Sequence, residues 1–166
     1  LGRMGEYGIT EYYAQKYQEG LEFQDFISDR LRVEGFNIGV YSSLKYQLNK
    51  GESASGIEIK FDGRFRETGN FYIEVAEKSH PNVAEFSASG ILRSDNAWGY
   101  LIGDYQDAYL FSVLQLRNVY SRPTEWKQQM GIKNTEIKTS RGMLLPLKYA
   151  LNSGLCIKHF DFNKSN

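Results

Sequence analysis

The sequence is poor in three residue types, with one cysteine, three prolines and two histidines among its 166 residues. A lone Cys156 excludes an internal disulfide and points to a reducing compartment, so a cytoplasmic location is expected. His80 and His159 are distant in sequence and have no further cysteines near them, which excludes zinc sites of the usual Cys/His spacing. No apolar run approaches the roughly 18 residues needed to span a bilayer, and no secretory signal is recognisable, so no membrane partner is expected. Neither a glycine-rich nucleotide loop nor a Gly-x-Ser-x-Gly elbow occurs. Leu1-Gly2-Arg3 ahead of Met4 read as an added leader and carry no argument.

What the chain does have is apolar and aromatic mass. Hydrophobic residues make up 41%, with twelve Tyr and ten Phe, enough for a packed core. The length suits a single domain over 1–166, able to bury roughly two thirds of its unfolded surface. Formal net charge is zero, yet residues 112–166 carry nine Lys/Arg against only Glu125, Glu136 and Asp161. The acid is therefore concentrated in residues 1–111. An acidic half joined to a basic half is compatible with a cation-binding cleft beside a phosphate-binding surface.

Periodicity predicts a mixed α+β chain. Residues 1–8 are expected to be flexible, and Thr10 to cap a helix whose Phe23, Ile27 and Leu31 form an inward stripe and which Gly35 ends. Strands are expected at 36–41, 57–62 and 71–78, with loops at 49–56 and 79–96 and a turn at 63–70. A strand pair is expected at 98–102 and 108–111, a helix at 112–120 and another over 142–151, begun late by Pro146, before a final strand at 155–162. The segments 57–62 and 71–78 read most economically as an acidic hairpin.

The chemistry-bearing residues fall on that hairpin. Alternation puts Glu58, Lys60 and Asp62 on one face of its first strand and Glu74 and Lys78 on one face of its second. If Lys60 lies opposite Glu74, cross-strand neighbours sit about 5 Å apart. Carboxylates at that spacing make an oxygen cage suited to Mg²⁺ or Mn²⁺, with Asp62, Glu74 and Glu58 as ligands. A lysine among them can steady charge on a phosphate. A solvated hairpin with cross-strand Lys–Glu pairs is the plainer alternative, and a one-residue slip would turn Glu74 to the other face.

This order resembles the restriction-endonuclease-like PD-(D/E)XK nuclease superfamily: a helix carrying Glu22, a strand ending in Asp62, a hairpin, then a strand carrying Glu74. The resemblance spans roughly Glu22 to Phe111. It implies a restriction-endonuclease-like core at 10–111, with a central mixed sheet flanked by helices, and C-terminal helices and a last strand at 112–166. It further implies Mg²⁺-dependent phosphodiester hydrolysis, with nucleic acid, DNA foremost, as substrate. Asp62 and Glu74 match the acids of the second and third strands, and Glu22 the additional helical acid. The sequence departs from the pattern in three places. No proline precedes Asp62, Ala76 stands where the motif has lysine, and the literal Glu-x-Lys is Glu58-Ile59-Lys60 on the preceding strand. Lysine migration between strands is known in the superfamily, so Lys60 or Lys78 would supply the ammonium. The alternative is a non-catalytic module that keeps the fold and binds nucleic acid or protein. A homodimer covering the acidic face is a further expectation.

Lys138, Ser140 and Arg141 are candidate nucleic-acid contacts, on the expectation that 138–142 opens a helix whose N–H groups and guanidinium meet phosphate. An ordinary helix entry capped by Ser140 is the alternative. Arg64 and Arg66 are expected to be exposed turn charges, Cys156 an apolar strand residue, and Asp104 a turn acid. Tyr12, Tyr13 and Tyr17 could stack on bases, but are expected to belong to the core and its rim.

Overall fold

A computed structural model describes residues 2–35, 56–94 and 97–164, with backbone alone for 2–10. The expected strand at 36–41 and nearly all of the expected loop at 49–56 lie outside these residues. In chain order the elements are α1 (Gly2–Val33), β1 (Ile57–Phe61), α2 (Phe65–Thr68), β2 (Asn70–Glu77), β3 (Ser87–Ala88) and a 3-10 turn at Gly90–Leu92. There follow β4 (Gly99–Gly103), β5 (Asp107–Ser112), α3 (Val113–Tyr120), α4 (Thr124–Gln129), β6 (Lys133–Ile137), β7 (Ser140–Pro146), α5 (Leu147–Asn152) and β8 (Cys156–Asp161). The chain is a mixed α+β fold. Among the described residues no helix is long and apolar enough to cross a membrane.

The strands form two four-stranded sheets, ordered β1-β4-β5-β8 and β3-β2-β7-β6. The first is mixed, because β1 runs parallel to β4 while β4–β5 and β5–β8 are antiparallel. In the second every pairing is antiparallel. Alternation divides the first sheet cleanly between two cores. Leu101, Ala108, Leu110 and Phe160 join Ile57 and Ile59 against Phe23, Ile27 and Leu31 of α1. Tyr100, Ile102, Tyr109 and Phe111 face the opposite way, onto Phe71, Ile73, Val75, Met143 and Leu145 of the second sheet. Thus α1 covers one face of the first sheet and the second sheet covers the other.

The α1 stripe lies where four-residue spacing puts it, with Phe23, Ile27 and Leu31 all 0% exposed. Each such burial stabilises the fold by roughly 1.5–3 kcal/mol. The helix starts at Gly2 rather than at Thr10 and runs on to Val33. Ser112 caps α3, its side chain accepting from the Gln115 N–H at 3.3 Å, so the helix expected at 112–120 starts one residue later.

Three expectations are corrected. The acidic segments 57–62 and 71–78 do not form a hairpin, because β1 pairs with β4 and β2 pairs with β7 and β3. The link between them holds the short helix α2, whose Phe65 is buried in the core between the sheets, so the chain crosses from one sheet to the other. The segment 138–142 does not open a helix either. Lys138 and Thr139 are the two-residue turn of the β6–β7 hairpin, with Ile137 opposite Ser140. The apolar run after Gly142 alternates as β7, burying Met143 and Leu145, and only from Leu147, after Pro146, does it become helical. Short apolar runs fit either period, and here sheet pairing decided.

Candidate active site

A cavity of about 940 Å³ opens between α1, the end of β1, β2 and the β6–β7 turn. With Ile57 and Ile59 turned to α1, alternation leaves Glu58 and Lys60 on the other face of β1. The Lys60 ammonium lies 3.2 Å from Glu58 Oε1 and 3.8 Å from Glu74 Oε1. Two carboxylates from strands of different sheets therefore meet at one lysine. The contact that was expected across a hairpin is made across the gap between sheets.

Glu74 is held at both oxygens. Its Oε1 accepts a hydrogen bond from the Ser89 hydroxyl at 2.7 Å, and its Oε2 one from Ser140 at 3.2 Å. The Ser140 hydroxyl is itself 2.7 Å from the Tyr72 hydroxyl. Ser89 is wholly buried and links β3 directly to the 3-10 turn, brought to Glu74 by the close approach of Gly90 to β2. A Cβ on Gly90 would lie 2.0 Å from the Glu74 carbonyl oxygen, and the residue's φ of +52° also favours glycine. Glycine is what lets the 3-10 turn sit against this strand.

Asp62 ends β1 and ties it to β2. Its Oδ2 accepts from the Tyr72 N–H at 3.1 Å and its Oδ1 from the Arg64 N–H at 2.9 Å. Each carboxylate oxygen keeps a second lone pair. Glu58 Oε2 is buried and has no hydrogen-bond partner among the described residues. Beside it in register stands Tyr100, which is 0% exposed and whose hydroxyl has no hydrogen-bond partner among the described residues. Burial, reinforced by the charges of Glu58 and Glu74, holds the Tyr100 phenol well above its ordinary pKa, so it stays protonated. For Lys60, burial opposes the charge, but Glu58 and Glu74 outweigh it and its pKa is raised. The lysine is a permanent cation at neutral pH.

The remaining sequence candidates are distributed as follows. Lys78 lines the cavity and lies 4.7 Å over the Phe86 ring. Glu22 is exposed and accepts from Gln18 at 3.2 Å; the α1 acid that lines the cavity is Glu19. Ser140 lines the cavity, but its role is to hold Glu74, not to cap a helix. Arg141 pairs with Glu136 at 2.8 Å and covers Phe86, while Lys138 is exposed in the turn. Ser89, Arg93, Tyr72 and Tyr100 were not singled out from the sequence. Only the Ser89-Gly90 pair signalled a turn, and nothing local indicated what that turn would touch. Arg93 bridges Glu77 at 3.4 Å and Ser89 at 3.3 Å on the cavity wall.

A second polar cluster lies away from this cavity. Arg66 donates to Asp104 at 2.8 and 3.0 Å and pairs with Asp107, whose other oxygen is 2.6 Å from His159 Nε2. It pins α2 to the β4–β5 turn. No protein-family model matches the chain, and no curated protein or solved structure matches it either.

Proposed function

We propose that the cavity hydrolyses phosphodiester bonds of nucleic acid, DNA foremost, with Mg²⁺ or Mn²⁺ as cofactor, as the resemblance to restriction-endonuclease-like nucleases implies. The observation that carries this reading is the meeting of Lys60 with Glu58 and Glu74 from two sheets, with Lys60, Glu74 and Asp62 lining one open cavity and Glu58 buried behind Lys60. In charge and donor type, though not in their present spacing, these residues suit a divalent cation. The donor set is all oxygen, its three carboxylates exceed the one lysine by two charges, and Glu58 Oε2 is a buried oxygen lacking any partner among the described residues. Glu74, Glu58 and Asp62 would hold the ion. When bound, such a cation polarises a phosphate and makes water a better nucleophile. Lys60 offsets charge that builds on the phosphate as it is attacked, in a site where water screens it little. Ser89 and Ser140 keep Glu74 in one orientation. A cytoplasmic setting agrees with the lone Cys156.

Incubating the protein with labelled single- and double-stranded DNA and Mg²⁺ or Mn²⁺ tests the proposal. Cutting that vanishes in Glu74→Gln is expected; no cutting, or cutting that Glu74→Gln leaves intact, would overturn it. Two observations favour a second reading, a non-catalytic binding module of the same fold. Ala76 stands at the lysine position of the motif, and among the described residues no three His, Cys, Asp or Glu side chains are already grouped to hold a metal. Calorimetric titration with Mg²⁺ separates the two, since a binding module should take up none.

A further inference from the structure

We propose that the strand this cavity accepts is single-stranded, and that Tyr17 on α1 is the platform on which one of its bases stacks. The inference deepens the reading of the cavity as a nucleic-acid site and rests on it. Helical spacing sets Tyr13, Tyr17, Gly20 and Gln24 along one side of α1, and all four line the cavity. Farther along the same helix Phe23, Ile27 and Leu31 are entirely covered by the first sheet, but Tyr17 is 58% exposed. A large aromatic face is thus presented to the cavity and not to the core, contrary to the expectation from composition.

The wall that carries the ring is braced. The Tyr13 hydroxyl donates to Thr139 Oγ1 at 3.2 Å, tying this part of α1 to the β6–β7 turn. One helical turn beyond Tyr17, a Cβ on Gly20 would meet nothing within 4 Å among the described residues, so no side chain crowds the helix surface next to the ring. Every base has a π-face, and stacking on an exposed aromatic is the usual means of holding a single strand without regard to sequence. A duplex hides those faces.

Charge points the same way. Duplex affinity rests on phosphate contacts by free cations. Here Lys16 is 3.4 Å from Glu19, Arg93 is 3.4 Å from Glu77, and Lys60 is shared by Glu58 and Glu74. Arg64 is 3.7 Å from Glu67, which leaves Lys78, set over the Phe86 ring, as the cavity cation among the described residues to meet phosphate. With the others matched by carboxylates few counter-ions are displaced, so binding relies mainly on the ring.

Fluorescence anisotropy in EDTA, with a labelled twelve-nucleotide oligothymidine and a blunt duplex of equal length, tests this without cleavage. The single strand is expected to bind at least tenfold more tightly than the duplex. Tyr17→Ala should weaken it roughly five- to a hundredfold, the size of one base–aromatic stack, while Tyr17→Trp retains it. The logarithmic salt slope should be no steeper than about −1.5, equivalent to roughly two phosphates on a single strand. Tyr17 is a surface residue, so unchanged circular dichroism will verify folding of each variant. Equal affinity for the duplex, binding indifferent to Tyr17→Ala, or no binding to either oligonucleotide overturns the inference. Tyr17-dependent binding without cutting in Mg²⁺ would instead sink only the hydrolytic reading, and cutting confined to duplex would sink only this one.

Discussion

Replacing Lys60 by methionine removes the ammonium between Glu58 and Glu74 while keeping a long, flexible side chain in its place. The Glu58 and Glu74 side chains are 12% and 18% exposed and Lys60 33%, so the pair is neither a surface ion pair nor fully dry. Orphaning a buried charge costs about 3–5 kcal/mol and losing an exposed pair about 0–1, so a cost of about 2 kcal/mol is expected, or roughly 4–8 °C in Tm. The pH dependence follows from the raised Lys60 pKa. Its contribution is fully present below its unfolded value of 10.5 and is lost only as pH rises through the higher folded value. Urea unfolding followed by tryptophan fluorescence between pH 7 and 12 would trace this curve. If the two carboxylates form a cation site, Mg²⁺ should restore more stability to Lys60→Met than to the wild type, about 1.4 kcal/mol at ten times Kd. A variant as stable as wild type at pH 7, or a deficit that does not begin to shrink above about pH 10.5, refutes the electrostatic reasoning. Equal Mg²⁺ response in both proteins refutes the cation site.

Two further substitutions probe the supports of the site. Gly90→Ala places a Cβ 2.0 Å from the Glu74 carbonyl oxygen at a φ of +52°. A loss of at least about 3 kcal/mol is expected in thermal or urea unfolding, and a loss under 1 kcal/mol would mean that the turn can move off β2. Arg66→Ala removes the guanidinium from Asp104 and Asp107. Burial opposes charge on both acids, but the contacts to Arg66 outweigh it and both pKa values lie below 3.8. Their contribution is present above that value and lost as pH falls through the depressed one, so wild type and Arg66→Ala should differ by about 1 kcal/mol at pH 7 and converge near pH 2. An acid titration monitored by circular dichroism that shows no convergence would count against the pairing.

Local pattern was a reliable guide wherever a single period was at work. The Phe23, Ile27 and Leu31 stripe and the alternation of Ile57-Glu58-Ile59-Lys60 are each set by residues within a few positions of one another. The same pattern failed at 142–151, where Met143 and Leu145 satisfy a strand as readily as a helix. It failed again for Tyr12 and Tyr17, because aromatic content does not say which rings are covered; these two are 55% and 58% exposed.

The candidate site shows the division most clearly. Backbone alternation alone puts Glu58 and Lys60 on one side of a strand, and this holds whatever that strand pairs with. Which carboxylate faces them depends on which sheet β1 joins. Its partner β4 lies beyond β2 and β3 in the chain, and the choice was made by burying Ile57 and Ile59 under α1 and Phe65 between the sheets. Ser89, Ser140 and Tyr100 arrive by the same long-range packing, carried on elements with no local mark of their destination. Amino-acid order therefore determined the faces. Only tertiary packing, in which distant apolar surfaces compete for the same cover, decided which faces meet.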